Sequence, residues 1–231
     1  MLYLENKSVY IIIPVFNEAF TIRKVVGSLL EKGFSVVVVD DDSNDETGNC
    51  IKDLSIHYLK HEVNLGQGAA LQTGIDYALR QGGAAVFATF DGDGQHLAED
   101  LVEMVKIVRE DTADIVLGSR FLPTASSNAS ITRKMAIHLA RVVNFLFTGI
   151  WLTEAHNGLR VFNRKTAAAL HLQENKMAHA TEILFRVKQY KLRFREAPVH
   201  IVYTDYSRKK GQPLSGGIKI FFDLVFNRIF D

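Results

Sequence analysis

The chain has 231 residues, 47% hydrophobic and 23% charged, with a formal net charge of +1 at pH 7. That composition fits a soluble globular fold with a well-buried core and excludes an intrinsically disordered chain. The balanced charge gives no global pull toward nucleic acid, and a single cysteine, Cys50, excludes an internal disulfide framework.

Met1 to Tyr10 lacks a basic region followed by an apolar one, so a cytoplasmic address is expected. No uninterrupted apolar stretch is long enough to span a bilayer. The nearest, Ile137 to Trp151, contains Arg141 and Asn144.

Val9 to Val15 is a continuous apolar strand, and Phe16-Asn17-Glu18 leads from it into a helix predicted from about Ala19 to Lys32. A continuously apolar strand followed by an amphipathic helix points to a parallel sheet covered on both faces. Phe34 to Val39 repeats the pattern and runs into Asp40-Asp41-Asp42-Ser43-Asn44-Asp45, where Ser43 or Asn44 is placed to cap a helix reaching about Asp53. Three consecutive aspartates repel one another and invite donors or a metal at the carboxyl end of a strand, where open parallel sheets bind ligands. Helix-dipole compensation accounts for one or two of them.

Ser55 to Lys60 reads as a third strand, and Asn64-Leu65-Gly66-Gln67-Gly68-Ala69-Ala70 opens a helix to about Arg80. Two readings of these glycines stay open: backbone N–H groups that meet phosphate, or close packing permitted by Gly66, Gly68 and Gly74. Ala84 to Phe90 is a fourth buried strand, followed by Asp91-Gly92-Asp93-Gly94-Gln95-His96. Mg²⁺ or Mn²⁺ takes oxygen ligands, usually one or two carboxylates with water and substrate phosphate. Asp91 and Asp93 suit that need, with Gln95 as a further oxygen ligand or a hydrogen-bonding support. The alternative is a solvated acidic turn.

Leu97 to Glu110 is an amphipathic helix, and Asp114 to Gly118 a strand closed by Ser119-Arg120. The alternation predicts a doubly wound, mostly parallel sheet. Pro123 to Ser130 reads as a loop over the site. Ile131 to Trp151 is a long helical segment, either buried on one face or lying on a membrane surface. Thr153 to Arg164 gathers Glu154, His156, Arg160 and Arg164 around Gly158. A helix is predicted from Thr181-Glu182 to about Tyr190, then a terminal strand from Glu196 to Val199. Tyr206 to Gln212 is a basic loop suited to phosphate or simply solvated, and Ile218 to Phe230 carries apolar residues at helical spacing that favour a partner or a bilayer.

These residues resemble the family-2 glycosyltransferases of GT-A fold, and more closely the dolichyl- or polyprenyl-phosphate mannosyl- and glucosyltransferase branch. The resemblance is carried by Ile13 to Glu18, Val39 to Asp45, Asn64 to Ala70, Asp91 to His96 and Gly118 to Arg120, and more loosely by Asn157 to Arg160 and Glu196 to Val199. It implies a single Rossmann-like, mostly parallel sheet flanked by helices: a nucleotide-sugar half over 1–122, an acceptor-side half over 123–217, and an amphipathic C-terminal helix over 218–231. Gln67 departs from the pattern, standing where many relatives carry a basic residue, and so does Glu154, standing where many carry aspartate.

The resemblance further implies nucleotide-sugar contacts from Pro14, Phe16, Glu18, Asp40, Asp41, Gly68 and Asp91, and Mg²⁺ or Mn²⁺ on Asp91, Asp93 and Gln95. Asp93 and Arg120 are expected in catalysis. Arg133, Arg160, Arg208 and Lys209 are expected at the acceptor phosphate. An ionised lipid phosphate attacks without a base, whereas a sugar hydroxyl needs one, for which Glu154 and Glu182 are the candidates. The expected reaction is inverting transfer of a hexose from a nucleotide-diphosphate sugar to polyprenyl phosphate. Extension of a lipid-linked glycan at a hydroxyl, or a binding subunit without turnover, are the alternatives. Expected partners are the two substrates and, through 218–231, the cytoplasmic face of a membrane or a small membrane protein. Self-association stays open.

Overall fold

The structure, a computed structural model, describes residues 6–123, 141–142, 145–146, 148–154, 157–176 and 178–202. The chain alternates β1 (Val9–Val15), α1 (Ile22–Glu31), β2 (Ser35–Asp40), β3 (His57–Lys60), α2 (Gln67–Leu79), β4 (Val86–Thr89), α3 (Ala98–Arg109) and β5 (Ile115–Ser119). It continues through β6 (Arg160–Asn163), α4 (Arg164–Ala169), α5 (His179–Gln189) and β7 (Phe194–Pro198). The strands form one sheet in the order β3-β2-β1-β4-β6-β5-β7. Only β6 runs against its neighbours.

The apolar runs are continuous because both faces of the sheet are covered. Ile11, Ile13 and Val15 of β1 pack with Ile22, Val25 and Leu29 of α1 and with Leu101 and Met104 of α3. Ile12, pointing the opposite way, packs with Leu71 and Ile75 of α2 and with Ile183 and Leu184 of α5. Burying each such side chain contributes roughly 1.5–3 kcal/mol.

The predicted helix from 43 to 53 is replaced by a loop with one 3₁₀ turn at Asn49–Ile51. The polar side chains at its start are engaged elsewhere: Ser43 Oγ accepts from Asn17 N at 2.9 Å, Asp45 Oδ2 from Ala19 N at 3.2 Å and Thr47 Oγ1 from Glu18 N at 2.8 Å. Asp42, at φ 65°, turns the chain away from helix. These bonds lock the loop after β2 to the loop after β1.

Sequence periodicity also missed β6 and α4. Because β6 is antiparallel, its first residue lies at the edge where the parallel strands end. Arg160 is in register with Thr89 at the end of β4 and with Leu117 in β5. The segment before β6 is thereby delivered to the carboxyl edge of the sheet. The expected loop at 124–130, nearly all of the helical segment up to residue 140, and the C-terminal helix at 218–231 lie outside the described residues.

Candidate active site

Asp91 and Asp93 follow β4, the centre of the sheet. Asp91, just past the carboxyl end of β4, is 30% exposed at its side chain. Gln67 Nε2 donates to its Oδ1 at 3.2 Å, and His96 Nε2 lies 3.2 Å from its Oδ2. Gly158 lies against the carboxylate so closely that a Cβ there would meet Asp91 Oδ2 at 2.1 Å. The Gly158 carbonyl is held in turn by the Thr89 hydroxyl at 2.6 Å. Burial raises the Asp91 carboxyl, but the hydrogen bond to His96 and the charges of His96, Arg160 and His179 outweigh it and hold the group below its ordinary range.

Asp93 is shifted the other way. Burial first, then the charge of Asp91, push it up, against hydrogen bonds from Gln95. Gln95 donates its backbone N to Asp93 Oδ1 at 3.0 Å and its side-chain Nε2 to Oδ2 at 2.5 Å. Gln95 thus orients Asp93 through its nitrogen, the supporting role of the two considered.

Two neighbouring half-buried carboxylates, one of which raises the other, fit a hard divalent cation, whose presence removes that repulsion. Among the described residues no group of three or more His, Cys, Asp or Glu could hold a metal. The pair therefore suits an ion that completes its shell with water and phosphate better than one needing a protein cage.

The strand-end aspartates are largely spent on internal bonds. Asp41 accepts from Leu65 N and Gly66 N at 2.9 and 2.7 Å and pairs with His61 Nδ1 at 2.7 Å. These bonds give Asp41 the task of fixing the loop before α2. Asp40 accepts from Ser43 N at 2.8 Å and the Tyr58 hydroxyl at 2.6 Å. It borders a cleft of about 460 Å³ lined also by Ser43, Gly48, Tyr58 and Lys60. Pro14 is half-buried, Phe16 exposed and Glu18 buried at the end of β1. Thr21 Oγ1 ties this loop to the carbonyl of Gly92, between the two aspartates, at 2.7 Å.

Gly68 N donates to Asn175 O at 2.8 Å, and a Cβ on Gly68 would meet Glu174 O at 1.9 Å. Of the two readings of these glycines, Gly68 shows close packing against the 174–175 segment, and Gly74 packs on Ile12 and Val39 of the sheet. Glu182 holds that segment: its carboxylate accepts from Gln173 N and Glu174 N at 3.0 Å and pairs with Arg186 at 3.3 Å.

Glu154 is 3% exposed. It grips Arg120, and Asn157 Nδ2 adds a contact at 3.3 Å. Arg160 is 2% exposed, and burial lowers its guanidinium to about 10 while Asp91 and Glu154 oppose the shift. Its charge is directed at these two carboxylates beneath the cleft, unlike the open acceptor contact expected. Arg133, His156, Arg208 and Lys209 lie outside the described residues. Sequence reasoning assigned no part to Gln67, His179 or Glu196, and placed Gly158 without seeing that it abuts Asp91. The only local signal was a glycine or glutamine inside a motif already singled out.

The model of Glycosyl transferase family 2 matches residues 10–170. The chain belongs to that family. A UDP-N-acetylglucosamine–dolichyl-phosphate N-acetylglucosaminyltransferase of Methanococcus voltae is 31% identical, over 96% of each chain. A polyprenol monophosphomannose synthase of Mycolicibacterium smegmatis is 28% identical over 70% of this chain and 64% of its own. The fold is that of glucosyl-3-phosphoglycerate synthase from Mycobacterium tuberculosis, solved with Mn²⁺, UDP and glucosyl-3-phosphoglycerate: TM-score 0.72 at 13% identity, covering 96% of this chain and 79% of that one. This family-2 glycosyltransferase is therefore an enzyme of GT-A fold, resembling the dolichyl- and polyprenyl-phosphate branch. Among its described residues no helix is long and apolar enough to cross a membrane.

Proposed function

We propose that this glycosyltransferase moves a hexose from a nucleotide-diphosphate sugar to a polyprenyl or dolichyl phosphate, with inversion and with a divalent cation, at the cytoplasmic face of a membrane. One observation carries the choice of acceptor. Both carboxylates suited to serve as general base are occupied by internal donors, Glu154 by Arg120 and Glu182 by the 173–174 backbone and Arg186. An acceptor hydroxyl needs a base, whereas a phosphomonoester, with a second pKa around 6, arrives largely ionised. The acceptors named for the relatives are of that class.

In the reaction an acceptor phosphate oxygen bonds to the anomeric carbon as the bond to the donor diphosphate breaks, and the nucleoside diphosphate leaves with the electron pair. Positive charge builds on the sugar and negative charge on the leaving group. Mg²⁺ or Mn²⁺ bound by Asp91 and Asp93 supplies Lewis-acid neutralisation of that diphosphate. Gln95, His96 and Gln67 fix the two carboxylates, and Arg120, gripped by Glu154, brings a pre-oriented cation to the phosphates. Arg133, Arg208 and Lys209 remain candidates for the acceptor phosphate. An interfacial substrate also suits the exposed Leu146 and Trp151, over whose ring Arg141 is stacked at 5.4 Å.

The test is transfer from a panel of nucleotide sugars, with Mn²⁺, to polyprenyl phosphate and in parallel to lipid-linked glycan hydroxyls. The expected result is transfer to the phosphate, lost by roughly 10²-fold or more in D91A and D93A. Transfer to hydroxyls alone, or activity unchanged in both variants, overturns the reading.

A further inference from the structure

Beside Asp91 the start of α2 meets the segment leading into α5. Three of the backbone donors around this helix start are consumed within the protein. Gly66 N donates to Asp41, and Gly68 N and Ala69 N to Asn175 O at 2.8 and 3.4 Å. Between them Gln67 reaches Asp91. On the opposing segment, His179 is buried, donates Nδ1–H to Lys176 O at 2.7 Å, and is close enough for its charge to bear on Asp91. Lys176 stands between these two contacts.

The Lys176 side chain is exposed, and its stem passes beside Gly66, where a Cβ would meet Lys176 Cγ at 3.3 Å. Gly66 is free of that clash because it has no Cβ, and its φ of 104° favours glycine there. Among the described residues Lys176 enters no ion pair. Its charge is thus available to a ligand, within one residue of contacts to Asp91 on the α2 side and one helical turn on the α5 side.

We propose that Lys176 binds the diphosphate of the nucleotide-sugar donor. With three of the backbone N–H groups around the α2 start already bonded, a side-chain cation is the stronger partner for an anion in this corner. An ammonium on a flexible four-carbon stem suits a phosphate oxygen. The donor is favoured over the acceptor by position in the sheet. The Lys176 stem lies beside Gly66, just before the helix that follows β3, whereas Arg120 follows β5, on the far side of Asp91. The two cations therefore flank the aspartate pair from opposite sides. This inference rests on the reading of Asp91 and Asp93 as the diphosphate site.

The experiment measures binding of UDP and GDP with Mn²⁺, and of uridine and guanosine, to the full chain and to K176M, K176R and K176M combined with Q67K. Lys176 is exposed, so K176M is expected to fold as the parent does. Its affinity for whichever diphosphate binds should fall about tenfold with nucleoside binding unchanged, as for one lost charge-assisted contact. K176R should retain most of the affinity, and Q67K should restore part of it by placing an ammonium at the same corner. Unchanged diphosphate binding in K176M overturns the proposal, as does an equal loss for nucleosides, or unchanged diphosphate binding with a raised KM for the acceptor phosphate. If the parent shows no Mn²⁺-dependent diphosphate binding, or D91A leaves it intact, the reading of the aspartate pair fails first and the proposal with it.

Discussion

Glu154 holds Arg120 through both carboxylate oxygens: Oε1 accepts from Nε at 2.7 Å and Nη2 at 2.5 Å, and Oε2 from the backbone N at 2.8 Å. Behind it, Glu196 of β7 accepts from Thr153 N and Oγ1 at 2.8 and 2.6 Å and from Glu154 N at 3.3 Å. One carboxylate fixes the backbone of the other, which fixes the arginine. Replacing Glu154 by Gln keeps one acceptor oxygen but removes the charge. The expected result is a fall in kcat/KM of roughly 10- to 100-fold, as the charge-assisted fork weakens, with the shape of the pH–rate profile unchanged. A general base would instead take the base limb of the profile with it.

Gly158 and Asp91 cannot both keep their places if position 158 gains a Cβ, which would fall 2.1 to 2.7 Å from the Asp91 carboxylate atoms. G158A is expected to displace that carboxylate and to abolish most of the thermal stabilisation that Mn²⁺ with a nucleoside diphosphate confers on the parent protein. Circular dichroism should remain that of a folded chain. Full ligand-induced stabilisation in G158A would contradict the importance of this contact.

The 174–175 segment sits on Gly68 with no room for a methyl group. G68A should destabilise the fold by about 1–3 kcal/mol, the range for overpacking a tight contact, read as a lower urea midpoint. E182A should weaken the same contact from the other side, since Glu182 holds Gln173 N and Glu174 N. The two substitutions are expected to be non-additive, because they loosen one shared segment.

Away from the site, Asp114 is held to about 2 chiefly by its hydrogen bonds with Arg193, against burial, and Asn163 adds a further bond. A depressed carboxylate contributes stability above its unfolded value near 4, and that contribution is lost as pH falls toward about 2. In R193A the Asp114 carboxyl should return toward its ordinary range, so acid unfolding should begin at a higher pH than in the parent. Tm measured from pH 5 to pH 2 checks this, and coincident curves would refute it.

Local chemistry alone was enough to locate the strands β1, β2, β4 and β5, the helices beside them and the aspartate pair after β4. A strand buried on both faces must be apolar throughout, a covering helix must alternate, and a turn built on glycine and aspartate announces itself within a few residues. Only the tertiary structure decided where the polar groups send their hydrogen bonds. Ser43 looks like a helix-capping residue until the loop at 17–19 takes its oxygen, along with those of Asp45 and Thr47. Glu154 and Glu182 look like bases until Arg120 and the 173–174 backbone fill them. Gly68 reads in the sequence as a phosphate contact or a packing glycine, and only the fold shows Asn175, more than a hundred residues on, accepting from its N–H. Each partner is remote in sequence, and a hydrogen bond is directional and short in range. Hydrophobic periodicity therefore carries no trace of which donor will meet which acceptor once an antiparallel β6 folds the second half of the chain onto the first.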